Sequence, residues 1–249
     1  MLNNKKELIH FFKEFVDLLD QENLWYVVEA GTLLGTIREG KMIEWDDDID
    51  VLVSIETYKF LKQKYPKNFL DMDIKGYPFI IAKWVPDVNN YLNSPIAIDL
   101  FPIIPTTQER INKYTKFSNV FRFANQMMNK GSKYKSFSWQ LRLLKIVLWP
   151  WQWTTKKITF NEVVQILEEK DYPEMTLMVD NPNSKIENQK SPLTIWNREK
   201  KIFEYYEVFV PKDYHQILTK RYGSNYMIPN KSVNSFEHIN AISTKIRKN

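Results

Sequence analysis

The chain of 249 residues, 43% hydrophobic and 14% aromatic, carries enough apolar material for one sizeable core or a core with a smaller lobe, which excludes a disordered chain. Its 35 Lys and Arg against 30 Asp and Glu leave a net charge of +5, compatible with nucleotides, anionic glycans or an anionic membrane surface and too small to imply a nucleic-acid partner. With no cysteine there are no disulfides, thiolate nucleophiles or Cys-containing zinc sites, and His10, His215 and His238 lack the spacing of a helical zinc motif, so a bound metal is a hard ion on carboxylates, Mg²⁺ or Mn²⁺.

Met1 to Lys6 is polar, and no run approaches the roughly 20 apolar residues that span a bilayer. The expected location is therefore the cytoplasm, with peripheral attachment to the inner face of a membrane left open. Leu8, Phe11, Phe12, Phe15, Val16, Leu18 and Leu19 recur at helical spacing and predict a first helix with an aromatic core stripe. Trp25 to Ala30 reads as a buried strand; Gly31 and Thr32 then open a short helix, Leu33 to Arg38, ending near Gly40. The acidic run Asp46-Asp47-Asp48-Ile49-Asp50 continues into the strand-forming Val51-Leu52-Val53. Ser54 is a candidate N-cap for a helix through Glu56, Tyr58, Phe60 and Leu61, which Pro66 stops.

Two further apolar runs, Phe79 to Val85 and Ile96 to Ile104, predict strands, the second carrying Asp99, with Pro102 and Pro105 closing the region. From about Thr106 to Lys170 the pattern turns helical, with Phe117, Val120, Phe121 and Ala124 as one periodic set. A soft domain boundary is placed near residue 105, separating a core, 1–105, from a mostly helical lobe, 106–249. A polar stretch over 180–195 reads as a loop, followed by a strand over Tyr205 to Val210 and a last helix after Pro211.

An acidic run is usually a solvated patch, but this one leads straight into a core strand. On a strand, Asp48 and Asp50 share one side while Ile49 and Val51 pack on the other. Neighbouring like charges raise each other's pKa unless a cation lies between them, and a divalent metal is the simplest compensation. Asp99, isolated in another apolar strand, supplies a third carboxylate, and the three make a one- or two-metal site for phosphoryl chemistry. Asp46 and Asp47 lie beside them, as outer partners or as exposed acids. An EF-hand starting at Asp46 fails, having Val51 and Thr57 where Gly and Glu belong, and the Walker-like Gly35 to Lys41 fails because Met42 replaces the required hydroxyl.

The stretch Glu29-Ala30-Gly31-Thr32-Leu33-Leu34-Gly35-Thr36-Ile37-Arg38, followed by Ile43-Glu44-Trp45-Asp46-Asp47-Asp48-Ile49-Asp50, resembles the signature of the LicD family of phosphocholine transferases, which takes in the fukutin-related proteins. Ile98-Asp99-Leu100-Phe101-Pro102 resembles the family's second acidic strand, and Phe209 to Tyr214 with Leu218, Tyr222 and Gly223 its C-terminal motif. The resemblance implies an α+β, nucleotidyltransferase-type fold, a mixed sheet with helices plus a helical C-terminal lobe. It implies a Gly31-Thr32 turn for phosphate and Asp48, Asp50 and Asp99 as catalytic Mg²⁺ ligands. The implied reaction moves a phospho-alcohol, phosphocholine in the first place, from CDP-choline or a related CDP-alcohol onto a glycan acceptor, with release of CMP. Arg38 is a candidate for the donor diphosphate or a surface arginine in a turn.

Lys83 is a candidate phosphate contact or an edge-strand lysine that blocks aggregation. His238 reads as solvated, and His10 and His215 as helix residues without a functional case. The Trp-rich Leu143 to Trp153, with Arg142, Lys145, Lys156 and Lys157 around it, suits a membrane interface through Trp149 to Trp153, core packing, or a choline-binding aromatic cage. Two rival functions stand beside the transferase: a nucleotidyltransferase that uses an NTP and releases pyrophosphate, and an inactive scaffold for glycan assembly.

Overall fold

The structure, a computed structural model, describes residues 2–74, 76–94, 96–128, 156–180 and 186–229. The Trp149 to Trp153 segment and His238 lie outside the described residues. Helix α1 (Leu2–Gln21) lays the predicted stripe into the core, with Leu8, Phe12, Phe15, Val16 and Leu19 buried. Strand β1 (Tyr26–Val28) passes into α2 (Ala30–Glu39) with no loop between them. The predicted strand is therefore shorter and the predicted helix longer. Glu29 is extended and Ala30 takes a left-handed φ of 47°, so two residues redirect the chain where a turn was expected.

Strand β2 (Asp50–Ser54) begins at the last aspartate of the acidic run, and Ser54 caps α3 (Ile55–Lys64) as predicted, its hydroxyl accepting from Thr57 N–H at 3.1 Å. Strands β3 (Phe69–Leu70) and β4 (Ala82–Trp84) follow. β4 takes only part of the Phe79 to Val85 run, because the Ile81 carbonyl accepts from the Tyr77 hydroxyl at 2.7 Å instead of joining a ladder. Strand β5 (Ile98–Thr106) runs through both prolines expected to close it. Each proline still supplies an acceptor: Val179 N–H reaches Pro102 O and Glu169 N–H reaches Pro105 O, both at 2.8 Å.

Next come α4 (Gln108–Tyr114), α5 (Phe117–Met128) and α6 (Phe160–Leu167), then β6 (Met175–Met178) and β7 (Lys190–Ser191). A hairpin, β8 (Arg198–Phe203) and β9 (Tyr206–Pro211), leads to α7 (Tyr214–Tyr222). Strand β8 is absent from the sequence reading, where Arg198, Glu199, Lys200 and Lys201 give no apolar run; pairing with the more apolar β9 makes it a strand.

The main sheet has the order β1-β2-β5-β4-β3, with β6 on β5 and β7 on β6. The β2–β5 pair is parallel and the others antiparallel. Ile103 pairs with Ser54 on one side and Met178 on the other, so β6 continues the edge of β5 that β4 occupies earlier. The boundary expected near residue 105 thus falls inside β5, and the later chain returns to the same sheet. The architecture is the expected α+β fold with a mixed sheet, and among the described residues no helix is long and apolar enough to cross a membrane.

Alternation separates the sheet's two sides. Val51, Val53 and Leu100 join the main core with α1, while Leu52, Val27, Phe101 and Ile103 form a second cluster against Ile195, with Phe209 of β9 and Ile217 of α7 packed on it. Asp50 and Asp99 share the side of Leu52 and Phe101. Phe209 and Ile217 therefore touch the face that carries the acids, while Phe203, Tyr206, Val208, Val210 and Leu218 of the hairpin and last helix join the main core.

Gly35 is a close-approach site: a β-carbon there would come 2.5 Å from Lys41 O and 3.3 Å from Ile43 N. Gly35→Ala is expected to destabilise the fold by about 1–3 kcal/mol, because backbone has to move to admit it. Urea unfolding of both proteins measures this directly.

Candidate active site

Register brings the two strand carboxylates together. Asp50 lies opposite Asp99 across the parallel β2–β5 ladder, and Asp99 N–H donates to Ile49 O at 2.8 Å just below it. The start of α2 holds Asp50 from the other side, since Asp50 N–H donates to Thr32 Oγ1 at 2.9 Å and Glu29 N–H donates to Asp50 O at 3.0 Å. The Thr32 hydroxyl thus braces the backbone of Asp50. Gly31 serves the same loop: a β-carbon at residue 31 would overlap Asp46 Oδ2, so the missing side chain admits the Asp46 carboxylate. Both residues stand in the first turn of α2, whose N–H groups have no partner within the helix.

Asp46, Asp47 and Asp48 each offer a carboxylate oxygen within 4.8 Å of the others. Burial, ahead of the charge of Asp46, pushes the Asp48 carboxyl up to about 8, and Asp99 adds to the shift. Burial also raises Asp46, against a hydrogen bond with Asp48 that lowers it. Asp50 is pushed well above the carboxylate range by burial first, then by Asp48, Asp99, Asp46 and Glu29. Ile49 and Val51, between and after these acids, are fully buried in the main core, as alternation predicts.

Lys83 reaches the cluster by register, lying opposite Asp99 on β4, and its ammonium pairs with Asp99 Oδ1. It is no edge-strand lysine, because β4 runs between β3 and β5. Arg38 stays apart. It sits in the last turn of α2, its side chain only 6% exposed, and its guanidinium bonds Glu39 at 2.5 and 3.0 Å. It is neither exposed nor in a turn, and its partner is Glu39.

The structure adds Glu29 and Tyr222, which the sequence motifs contain without a role, and Arg221, which they do not name. Glu29, 2% exposed, pairs with Arg221 of α7. Burial works against the Arg221 charge, but Glu29 more than offsets it, and Asp50 also acts on the arginine. Tyr222 is raised by burial and, against Arg221, by the charges of Glu29, Asp50 and Asp46. The signal was present in the C-terminal Tyr222-Gly223 motif, but the distance in sequence between residues 29 and 221 hid the pairing.

Lys83 thus pairs with Asp99 and Arg221 with Glu29. Among the described residues only Asp46, Asp47 and Asp48 bring three carboxylate oxygens within 4.8 Å of one another, in a carboxylate-rich cluster that Asp50 joins through the charges it shares with Asp48 and Asp99. Its mutual repulsion and an orphaned buried oxygen, Glu29 Oε2, fit a hard divalent cation.

Residues 23–143 match the LicD/FKTN/FKRP nucleotidyltransferase domain, so this part of the chain is similar to the LicD family. It is also similar to an uncharacterized protein of Rickettsia prowazekii, 37% identical over 60 residues, and to one of Rickettsia typhi, 35% identical over 60 residues. Each match takes in 24% of this chain, and it spans 23% and 19% of the two relatives' own lengths. Arg221 and Tyr222 lie beyond the matched domain.

An acid whose folded pKa lies above its unfolded value keeps a proton in the folded chain that the unfolded chain releases. Its contribution is full below the unfolded value, 3.8 for Asp48, and is lost as pH rises toward about 8. Without divalent cations, thermal stability is therefore expected to fall as pH rises through this window. Melting curves in chelator from pH 4 to 9 test it, and excess Mg²⁺ is expected to restore stability at the upper end.

Proposed function

We propose that this protein is a Mg²⁺-dependent transferase, with Mn²⁺ as a substitute, that moves phosphocholine from CDP-choline to a hydroxyl of a cell-envelope glycan such as lipopolysaccharide, teichoic acid or capsule. The observation that carries this reading is the register pairing of Asp50 with Asp99, with Asp48 beside them, inside a LicD-family domain. Asp48, Asp50 and Asp99 are the residues that hold the metal. When bound, Mg²⁺ offsets the charge of the donor diphosphate and of the transition state.

In this reading the acceptor hydroxyl oxygen forms a bond to the distal phosphorus of the donor as the bond from that phosphorus to the CMP oxygen breaks, in line with the attack. Asp99 orients the hydroxyl and takes its proton, which passes to solvent after CMP leaves. Lys83 fixes the Asp99 carboxylate from the neighbouring strand. The first-turn N–H groups at Gly31 and Thr32 favour a phosphate oxygen, and Thr32 keeps Asp50 in place beneath it. The scaffold reading leaves unexplained why so many carboxylates are gathered at such electrostatic cost.

The experiment offers CDP-choline, CDP-ribitol, CDP-glycerol, CTP and ATP to the wild type and to Asp48→Asn, and follows thermal shift and released CMP. Mg²⁺-dependent stabilisation by CDP-choline is expected, with CMP release on a glycan acceptor falling by about a hundredfold or more in Asp48→Asn. Preference for another CDP-alcohol moves the reading to ribitol or glycerol phosphate. Selective triphosphate binding with pyrophosphate release establishes the nucleotidyltransferase instead, and no metal-dependent binding leaves the scaffold.

A further inference from the structure

We infer that Glu29 is a further ligand for the divalent cation, its side chain divided between Arg221 of the last helix and the metal. The inference rests on the reading of the aspartates as a metal site. Glu29 stands at the N-cap of α2, where a side-chain oxygen ordinarily bonds the first-turn N–H groups, yet it makes no such bond. Its carboxylate turns instead to Arg221, which pairs with Oε1. The second oxygen, Oε2, is buried and has no hydrogen-bond partner among the described residues.

A buried carboxylate oxygen is rarely left in that condition. Structural pairing with Arg221 explains one oxygen and not the other. The backbone on either side of the Glu29 side chain narrows the choice. The Glu29 backbone is tied to Asp50 by the 3.0 Å bond from its N–H, and Ala30, which follows, holds a left-handed φ of 47°. That strained residue sends the chain directly from β1 into α2 and fixes Glu29 next to the acids. Asp50 feels the Glu29 charge, and Tyr222 feels Glu29, Asp50 and Asp46 together. An unpartnered buried oxygen on a residue whose backbone is bonded to Asp50 calls for a cation, because hydrogen-bond acceptors offer it nothing. Arg221, already engaged by Oε1, tempers the charge without filling the second position. The metal site so described draws on the chain before the Gly-Thr start of α2, the acidic loop and strand β5, while a helix about 190 residues further on orients one ligand.

The test is Mn²⁺ binding to the full chain, by electron paramagnetic resonance and calorimetry, with wild type, Asp50→Asn, Glu29→Gln and the double variant Glu29→Gln/Arg221→Met. Thermal unfolding confirms that each is folded. The double variant removes the buried cation that Glu29→Gln alone leaves unpaired, so a loss of fold in the single variant does not decide the matter. Glu29→Gln and the double variant are both expected to bind Mn²⁺ about tenfold or more weakly than wild type. If the double variant binds as tightly as wild type while Asp50→Asn does not, Glu29 is only the charge partner of Arg221 and the inference is overturned. If wild type binds no Mn²⁺, or Asp50→Asn binds it as well as wild type, the metal reading of the aspartates falls and the inference falls with it.

Discussion

Crowding of carboxylates at the head of two parallel strands is the constraint around which this protein is arranged. Two unit charges one strand spacing apart repel by roughly 3 kcal/mol at an effective dielectric constant of 20. Asp50 and Asp99 occupy that relation by register, and the loop before β2 adds Asp46 and Asp48. Nothing in the packing of a sheet requires acids there. The same strands are apolar elsewhere along their length, with Leu52, Val53, Leu100 and Phe101 all buried.

The surroundings are built to hold these acids rather than to dilute them. Thr32 and Glu29 tie α2 to the backbone of Asp50, and Gly31 gives up its side chain so that Asp46 can close over the helix start. Lys83 and Arg221 bring positive charge from a neighbouring strand and from the last helix. The hairpin and that helix serve the site through packing. Phe209 and Ile217 pack on both the main core and the apolar part of the acidic face, and Arg221, one helical turn after Ile217, pairs with Glu29. A segment that looks peripheral along the chain thereby closes the site.

Elements with a strong local signal were legible in the sequence. The α1 stripe, the Ser54 cap and the apolar strand after Asp50 each rest on contacts within a few residues, so pattern and structure agree. Failures came where long-range pairing overrode local rules. Pro102 and Pro105 read as terminators but sit inside β5, because their carbonyls find donors in Val179 and Glu169. Charged β8 carries no periodic signal and becomes a strand only against β9. Lys83 read as an edge residue because nothing in its own segment reveals that β4 has a strand on either side.

The amino-acid sequence by itself determined which side chains are available: the aspartates 46, 48 and 50 of the run that leads into a strand, of which only Asp50 is on it, Asp99 alone in an apolar run, and the Gly-Thr pair before them. These follow from spacing and alternation, which are local properties of the backbone. Only the tertiary structure decided that Asp99 stands opposite Asp50, that Lys83 pairs with Asp99, that Arg38 turns away to Glu39, and that Glu29 meets Arg221. Strand order and helix docking set those partners, and both are chosen by burial summed over the whole core, which no short stretch of sequence contains.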